Sequence, residues 1–145
     1  MRYFTLLEAQ RALPEVERHL REALFHKAES QKAQDDMDRT TERIRMSGGA
    51  RVNPSQVLAL RTRRDNSISA LKDALDEIHE AGAVVKDLDI GLLDFMTRYR
   101  DRDACLCWKL GEDQIGFWHG TEEGFPGRKA IDQEFLQNHR GEASQ

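Results

Sequence analysis

The chain has 145 residues, of which 39% are hydrophobic and 33% charged, and its net charge is −4. That length can bury a core without disulfide staples, and no apolar run approaches the roughly 18 residues that a membrane-spanning helix needs. The overall acidity also counts against a nucleic-acid binder.

The opening Met1-Arg2-Tyr3-Phe4-Thr5 lacks the basic start and apolar stretch of a signal peptide, so a cytoplasmic location is expected. Thr5 and Glu8 have the spacing of a capping box, in which each side chain satisfies a free backbone donor at a helix start. Pro14 predicts either the first turn of a second helix or a kink in the first. Beyond it, Leu13, Val16, Leu20, Leu24 and Ala28 recur at three- and four-residue steps and mark one apolar helix face. The stripe thins after residue 29, but nothing breaks the helix before Ser47-Gly48-Gly49. A helix over residues 14–46 would be about 50 Å long.

Ser47 to Asn53 reads as a turn, and Asn53-Pro54 as the cap and first turn of another helix. Val57, Leu60, Ile68, Leu71, Leu75 and Ile78 give that helix an apolar face, and Gly82 stops it. Two long helices joined by a short connection predict an antiparallel hairpin. Residues 39–64 hold seven arginines and one acid, a charge of +6 against −10 for the remainder. Arg43, Arg45, Arg51, Arg61, Arg63 and Arg64 are thus candidates for contact with an acidic protein partner. Solvation alone would also account for them, and the lack of aromatic residues there counts against nucleic acid. Apolar faces on helices of this length predict a homo-oligomer.

After Gly82 the texture changes. Phe95, Tyr99, Trp108, Phe117, Trp118 and Phe125 all fall in the last third, where strands are expected. Strands are predicted over 83–88, 91–99, 104–110 and 115–119, with a polar turn at Asp101-Arg102-Asp103 and a glycine-containing loop over 120–127. The fold expected is α+β, a long antiparallel helical hairpin followed by a small antiparallel β-meander. Residues 1–137 should form one domain: the hairpin over 1–82, the β-rich unit over 83–128 and a C-terminal segment over 129–137. Residues 138–145 should form a flexible tail.

A four-residue loop over 111–114 would set Leu110 opposite Ile115, Trp108 opposite Phe117 and Leu106 opposite His119. Cys105 and Cys107 would then share one face of their strand, and His119 would lie on the other. Two thiols on one face suit a soft metal, but this register removes the histidine and favours core packing. Asp94, Glu112, His119 and Arg128 form the candidate ligand-binding group, with Glu122 and Glu123 nearby in sequence. Carboxylates beside a histidine suit a divalent metal, held by His119 and Glu112, or acid–base chemistry. The segment from Gly120 to Arg128 could cradle an anion through its backbone N–H groups, although its two acids oppose phosphate. Alternatively, Arg128 pairs with Glu112 and pins the loop.

Three stretches carry a family resemblance. They are Cys107-Trp108-Lys109-Leu110-Gly111-Glu112, Ile115-Gly116-Phe117-Trp118-His119 and Gly124-Phe125-Pro126-Gly127-Arg128. With Tyr3-Phe4-Thr5-Leu6-Leu7-Glu8-Ala9, Lys86-Asp87-Leu88-Asp89 and Gly91-Leu92-Leu93-Asp94-Phe95, they resemble a small prokaryotic family catalogued as domain of unknown function 2203. Met96 departs from the proline expected after Asp-Phe. The resemblance implies a bacterial or archaeal cytosolic protein and no established activity. Three classes of function follow from the residues. The first is an interaction or scaffold module that self-associates through its hairpin. The second is a metal- or anion-binding protein or enzyme with its site in the β-rich unit. The third is a nucleic-acid binder through the arginine tip.

Overall fold

The computed structural model describes residues 2–49 and 53–142. It is α+β: helices α1 (Leu6–Met46) and α2 (Pro54–Glu80) form a hairpin and precede a six-stranded antiparallel sheet. The strands are β1 (Ala83–Asp87), β2 (Leu92–Tyr99), β3 (Arg102–Lys109), β4 (Phe117–Gly120), β5 (Lys129–Ala130) and β6 (His139–Arg140). A 3-10 turn at Phe125–Gly127 and the short helix α3 (Gln133–Asn138) complete the chain. Part of the expected turn between the helices, with Arg51, lies outside the described residues.

The start of α1 is the expected capping box. Glu8 N–H donates to Thr5 Oγ1 at 3.2 Å, and Thr5 N–H donates to the Glu8 carboxylate at 3.0 Å. These bonds to Thr5 hold the Glu8 carboxyl below its ordinary range. A third donor, Leu6 N–H, reaches His139 Nε2 at 3.0 Å. Pro14 starts no second helix; it lies inside α1, which runs on to Met46.

The chain divides into two compact units, residues 1–20 with 75–145 and residues 21–74. In the first, Ala9, Leu13, Val16 and Leu20 of α1 are buried, as are Ile78 of α2 and Leu93, Phe95, Leu106 and Trp108 of the sheet. The Trp108 ring N–H donates to the Glu112 carbonyl at 3.0 Å, so its one polar atom is satisfied. In the second unit the helices lie side by side. Arg63 reaches Asp36 at 3.2 Å and Arg64 reaches Gln34 at 3.0 Å. Ala23, Ala33 and Ala74 are its fully enclosed apolar residues among those described. The apolar stripe of α1 passes through Ala23 instead of Leu24 and Ala28, and Ile68 of α2 stays 48% exposed, off the enclosed face.

Strand order is β1-β2-β3-β4-β5, with β6 also on β2. One edge of β2 is covered in three steps. β1 pairs with Leu92 to Phe95, Phe4 N–H donates to the Met96 carbonyl at 2.7 Å, and β6 pairs with Arg98 and Tyr99. No long free edge remains along β2 to recruit another chain. The β2–β3 turn falls at Arg100-Asp101, one residue earlier than expected, and both residues have positive φ, 51° and 66°.

The segment expected as a frayed tail from residue 138 is held as far as Glu142. β6 lies within it, and Glu142 N–H bonds to the Tyr3 carbonyl at 3.1 Å. Gly141 packs so close that an added Cβ would stand 2.7 Å from the Glu8 carboxylate and 3.0 Å from Thr5 N. Polar composition suggested fraying, but the backbone pairing satisfies these groups.

Replacing Thr5 with Ala removes the capping hydroxyl and should lower stability by about 1 kcal/mol. Denaturant unfolding followed by circular dichroism measures this, and an unchanged midpoint would refute the role given to the box.

Candidate functional site

The three central strands present chemistry on one face. Asp94 of β2 pairs with Cys107 of β3, Met96 with Cys105, Cys105 with His119 of β4, and Cys107 with Phe117. Side chains alternate along a strand, so Asp94, Cys105, Cys107 and His119 project to the same side. This corrects the expected register by one residue. Leu106 stands opposite Trp118 rather than His119, and His119 joins the cysteines. The cause lies at Ile115, which does not pair with Leu110. Its N–H donates to the Gln10 side chain of α1 at 3.1 Å and its side chain is buried, so β4 begins only at Phe117.

His119 is tightly specified. Its Nδ1 lies 2.7 Å from the Gly120 carbonyl oxygen, which can only accept, so Nδ1 carries a hydrogen. Its Nε2 lies 3.1 Å from both oxygens of Asp94. Both side chains are almost wholly buried, 5% and 2% exposed. The Cys107 sulfur joins them: one donor atom each from Asp94, Cys107 and His119 lies within 4.8 Å of the others.

A second pair backs the first. Arg128 binds Glu112 through both ends of its guanidinium, at 3.1 and 2.5 Å, and its Nη1 lies 3.8 Å from Cys107 Sγ. Glu112 also accepts from Lys109 N–H at 2.7 Å. The guanidinium sits over the Phe117 ring at 3.9 Å and the Phe125 ring at 4.8 Å, an arrangement that suits its planar charge. Burial pushes the Cys107 thiol up to about 11, against the hydrogen bond from Arg128, while Asp94 raises it further. Burial pushes Cys105 up to about 12, again with Asp94 adding to the rise. Cys105 Sγ rests 3.7 Å from Met96 Sδ.

This geometry bears on what the group can do. In a thiol nucleophile one imidazole nitrogen faces the sulfur and takes its proton. Here Nδ1 serves Gly120 and Nε2 serves Asp94, which leaves no ring nitrogen for Cys107. A thiol raised to about 11 is also protonated at neutral pH. The carboxylate, thiol and imidazole instead form the mixed O, S and N donor set that a borderline divalent metal takes.

The four expected ligand-site residues fall in this one region as two adjoining pairs, His119 with Asp94 and Arg128 with Glu112. Glu112 is not beside His119 in the donor group, because its carboxylate is engaged by Arg128 and Lys109. Glu123 lies apart: it accepts from Gly120 N–H at 2.8 Å and binds Lys129 at 2.5 Å. Gly120 and Gly127 close upon it, each leaving under 3.0 Å for a Cβ. The residue that sequence reasoning left in the core is Cys107. Its place beside His119 depends on the register, which no local pattern reports. Among the tip arginines, Arg45, Arg63 and Arg64 bind acids of their own hairpin, Glu42, Asp36 and Asp65. Arg43 and Arg61 have no such partner among the described residues.

Residues 2–131 match an uncharacterized conserved protein family, DUF2203, and the chain belongs to it. No curated protein and no solved structure matches the chain. No helix among the described residues is long and apolar enough to cross a membrane.

Native, metal-free protein at pH 8 should react with an aromatic disulfide reagent roughly 100-fold more slowly than the unfolded chain, because thiols raised this far carry little thiolate. The absorbance of the released thiolate follows the reaction. Fast labelling of Cys107 in the folded protein would contradict the burial and charge described here.

Proposed function

We propose that this protein binds a single borderline divalent metal such as zinc through Asp94, Cys107 and His119. One observation carries the reading. The His119 tautomer is set by Gly120, so the Nε2 lone pair points at a buried carboxylate, two acceptors face to face. Either a hydrogen on Nε2 or a metal ion in its place reconciles the two. The backbone-bonded second nitrogen is the arrangement that metal-ligating histidines commonly use. Four-coordinate zinc has bonds of about 2.0–2.3 Å, which place its donor atoms about 3.3–3.7 Å apart. A donor set spanning 3.1 to 4.8 Å reaches that spacing by small side-chain adjustments. Arg128 would stabilise the Cys107 thiolate that the metal requires, with Glu112 holding the guanidinium in place. A reducing prokaryotic cytoplasm, the setting the family resemblance implies, would keep that ligand reduced.

Cobalt(II) is the test. Metal-free protein should bind one equivalent and show a thiolate charge-transfer band, lost in Cys107→Ser and kept in Cys105→Ser. His119→Ala should abolish tight binding, and Arg128→Ala should weaken it about 10- to 100-fold, as loss of a supporting contact does. Absence of a stoichiometric cobalt complex, or a band indifferent to Cys107, defeats the proposal.

A second reading concerns the hairpin as a self-associating interaction module. Phe25 and Leu58 are each 60% exposed and Met46 is 80% exposed. Arg43 and Arg61 would remain available to an acidic partner. Light scattering on the full chain at tens of micromolar should report a dimer or larger, shifted toward monomer by Phe25→Glu. A monomer at every concentration rejects this reading.

A further inference from the structure

At the end of the sheet marked by the β2–β3 turn, a pocket of about 480 Å³ lies outside the Asp94–Cys107–His119 group. Trp118 and Tyr99 form its aromatic wall, 4.7 Å apart between ring centres, and Ala104 and Gly120 extend its lining. Phe135 packs behind both rings, stacked on Tyr99 at 5.2 Å and tilted against Trp118 at 4.9 Å, so the wall is rigidly supported.

The charges around this pocket cancel in pairs, with one exception. Arg98 binds Asp103 at 3.4 Å, Arg140 binds Asp101 at 2.6 Å, and Arg100 binds Glu134. Arg102 also lines the pocket, yet its side chain has no carboxylate or hydrogen-bond partner among the described residues. One uncompensated guanidinium thus stands beside an aromatic surface that two cations also border, Arg100 at 5.2 Å from the Tyr99 ring and Lys129 at 4.5 Å from that of Trp118. The turn that places it is unusual. Arg100 and Asp101 both adopt positive φ, a conformation that two-residue hairpin turns ordinarily assign to Asn-Gly or Asp-Gly. Such strain tends to persist where it serves a site. Strand pairing then sets Arg102 directly across from Tyr99.

We infer that this pocket binds a small planar aromatic carboxylate, its ring against Trp118 and Tyr99 and its anionic group on Arg102. The volume falls within the range of small-molecule sites, which combine apolar walls with a few placed polar groups. A guanidinium recognises a carboxylate through two parallel N–H bonds, and the paired charges nearby leave it no internal competitor on the pocket lining. The lining shares no residue with the proposed metal's donor set, and it adjoins that set at Gly120, whose carbonyl bonds His119 Nδ1.

The chain has two tryptophans, which make the test direct. Trp108 is fully buried with its ring N–H bonded to Glu112, whereas Trp118 lines the pocket. In proton–nitrogen correlation spectra of the 15N-labelled full chain, titration with 2-naphthoate should move the Trp118 indole signal saturably and leave that of Trp108 in place. Arg102→Gln, at an exposed position, should weaken the apparent affinity about tenfold, and the neutral 2-naphthamide should bind the native protein about tenfold more weakly than the acid. The inference is overturned by the absence of saturable shifts at millimolar 2-naphthoate. It is equally overturned by equal affinity for the amide, by an Arg102→Gln protein that binds as well as the native one, or by parallel movement of both indole signals. Adding or removing metal should change none of these results.

Discussion

The pairing of Cys105 with His119 across β3 and β4 governs the chemistry of the sheet. It follows from where the β3–β4 connection is tied down. Leu110 N–H remains bonded to the Gly91 carbonyl, Ile115 N–H goes to Gln10, and the Gly116 carbonyl accepts from Ile131 N–H. With those backbone groups engaged elsewhere, residues 110 to 116 cannot close as a tight hairpin, and β4 starts two residues later than its apolar pattern suggests. The side-chain period of a strand is two, so a displacement of one residue exchanges its faces. His119 is thereby brought to Asp94, and Phe117 is placed beside Cys107 as the floor for Arg128.

The buried groups then hold one another. Asp94 and His119 are nearly inaccessible, and each is engaged by the other. Arg128 is held by Glu112 on its edge and by two aromatic rings on its faces. Removing one member of such a pair leaves the other's enclosed polar groups short of a partner. The cluster therefore behaves as a unit.

The second unit follows a different logic. Its enclosed apolar residues, among those described, are alanines, so its two helices bury little apolar area. The ion pair of Arg63 with Asp36 and the amide contact of Arg64 with Gln34 link the two helices, and the first adds little stability because it is exposed to solvent. Much of the arginine excess read from the sequence is thus taken up by carboxylates within the same unit.

The sequence by itself determined the elements that depend on near neighbours. The Thr5–Glu8 cap, the two helices, the meander of strands and the α+β class all arise from periodicity and from side chains a few residues apart. It also singled out Asp94, Glu112, His119 and Arg128, because charged groups and a histidine amid aromatic strands stand out by type. Only the tertiary structure decided that Pro14 would be absorbed into α1, that residues 139–142 would pair with β2 and the N-terminal segment, and that Cys107 would meet His119. The last two turn on partners distant in the chain: Tyr3 for Glu142 and Gln10 for Ile115. Hydrogen bonds of that kind leave no periodic trace in either segment. The register they impose, and with it the composition of the candidate site, exists only once the chain has folded.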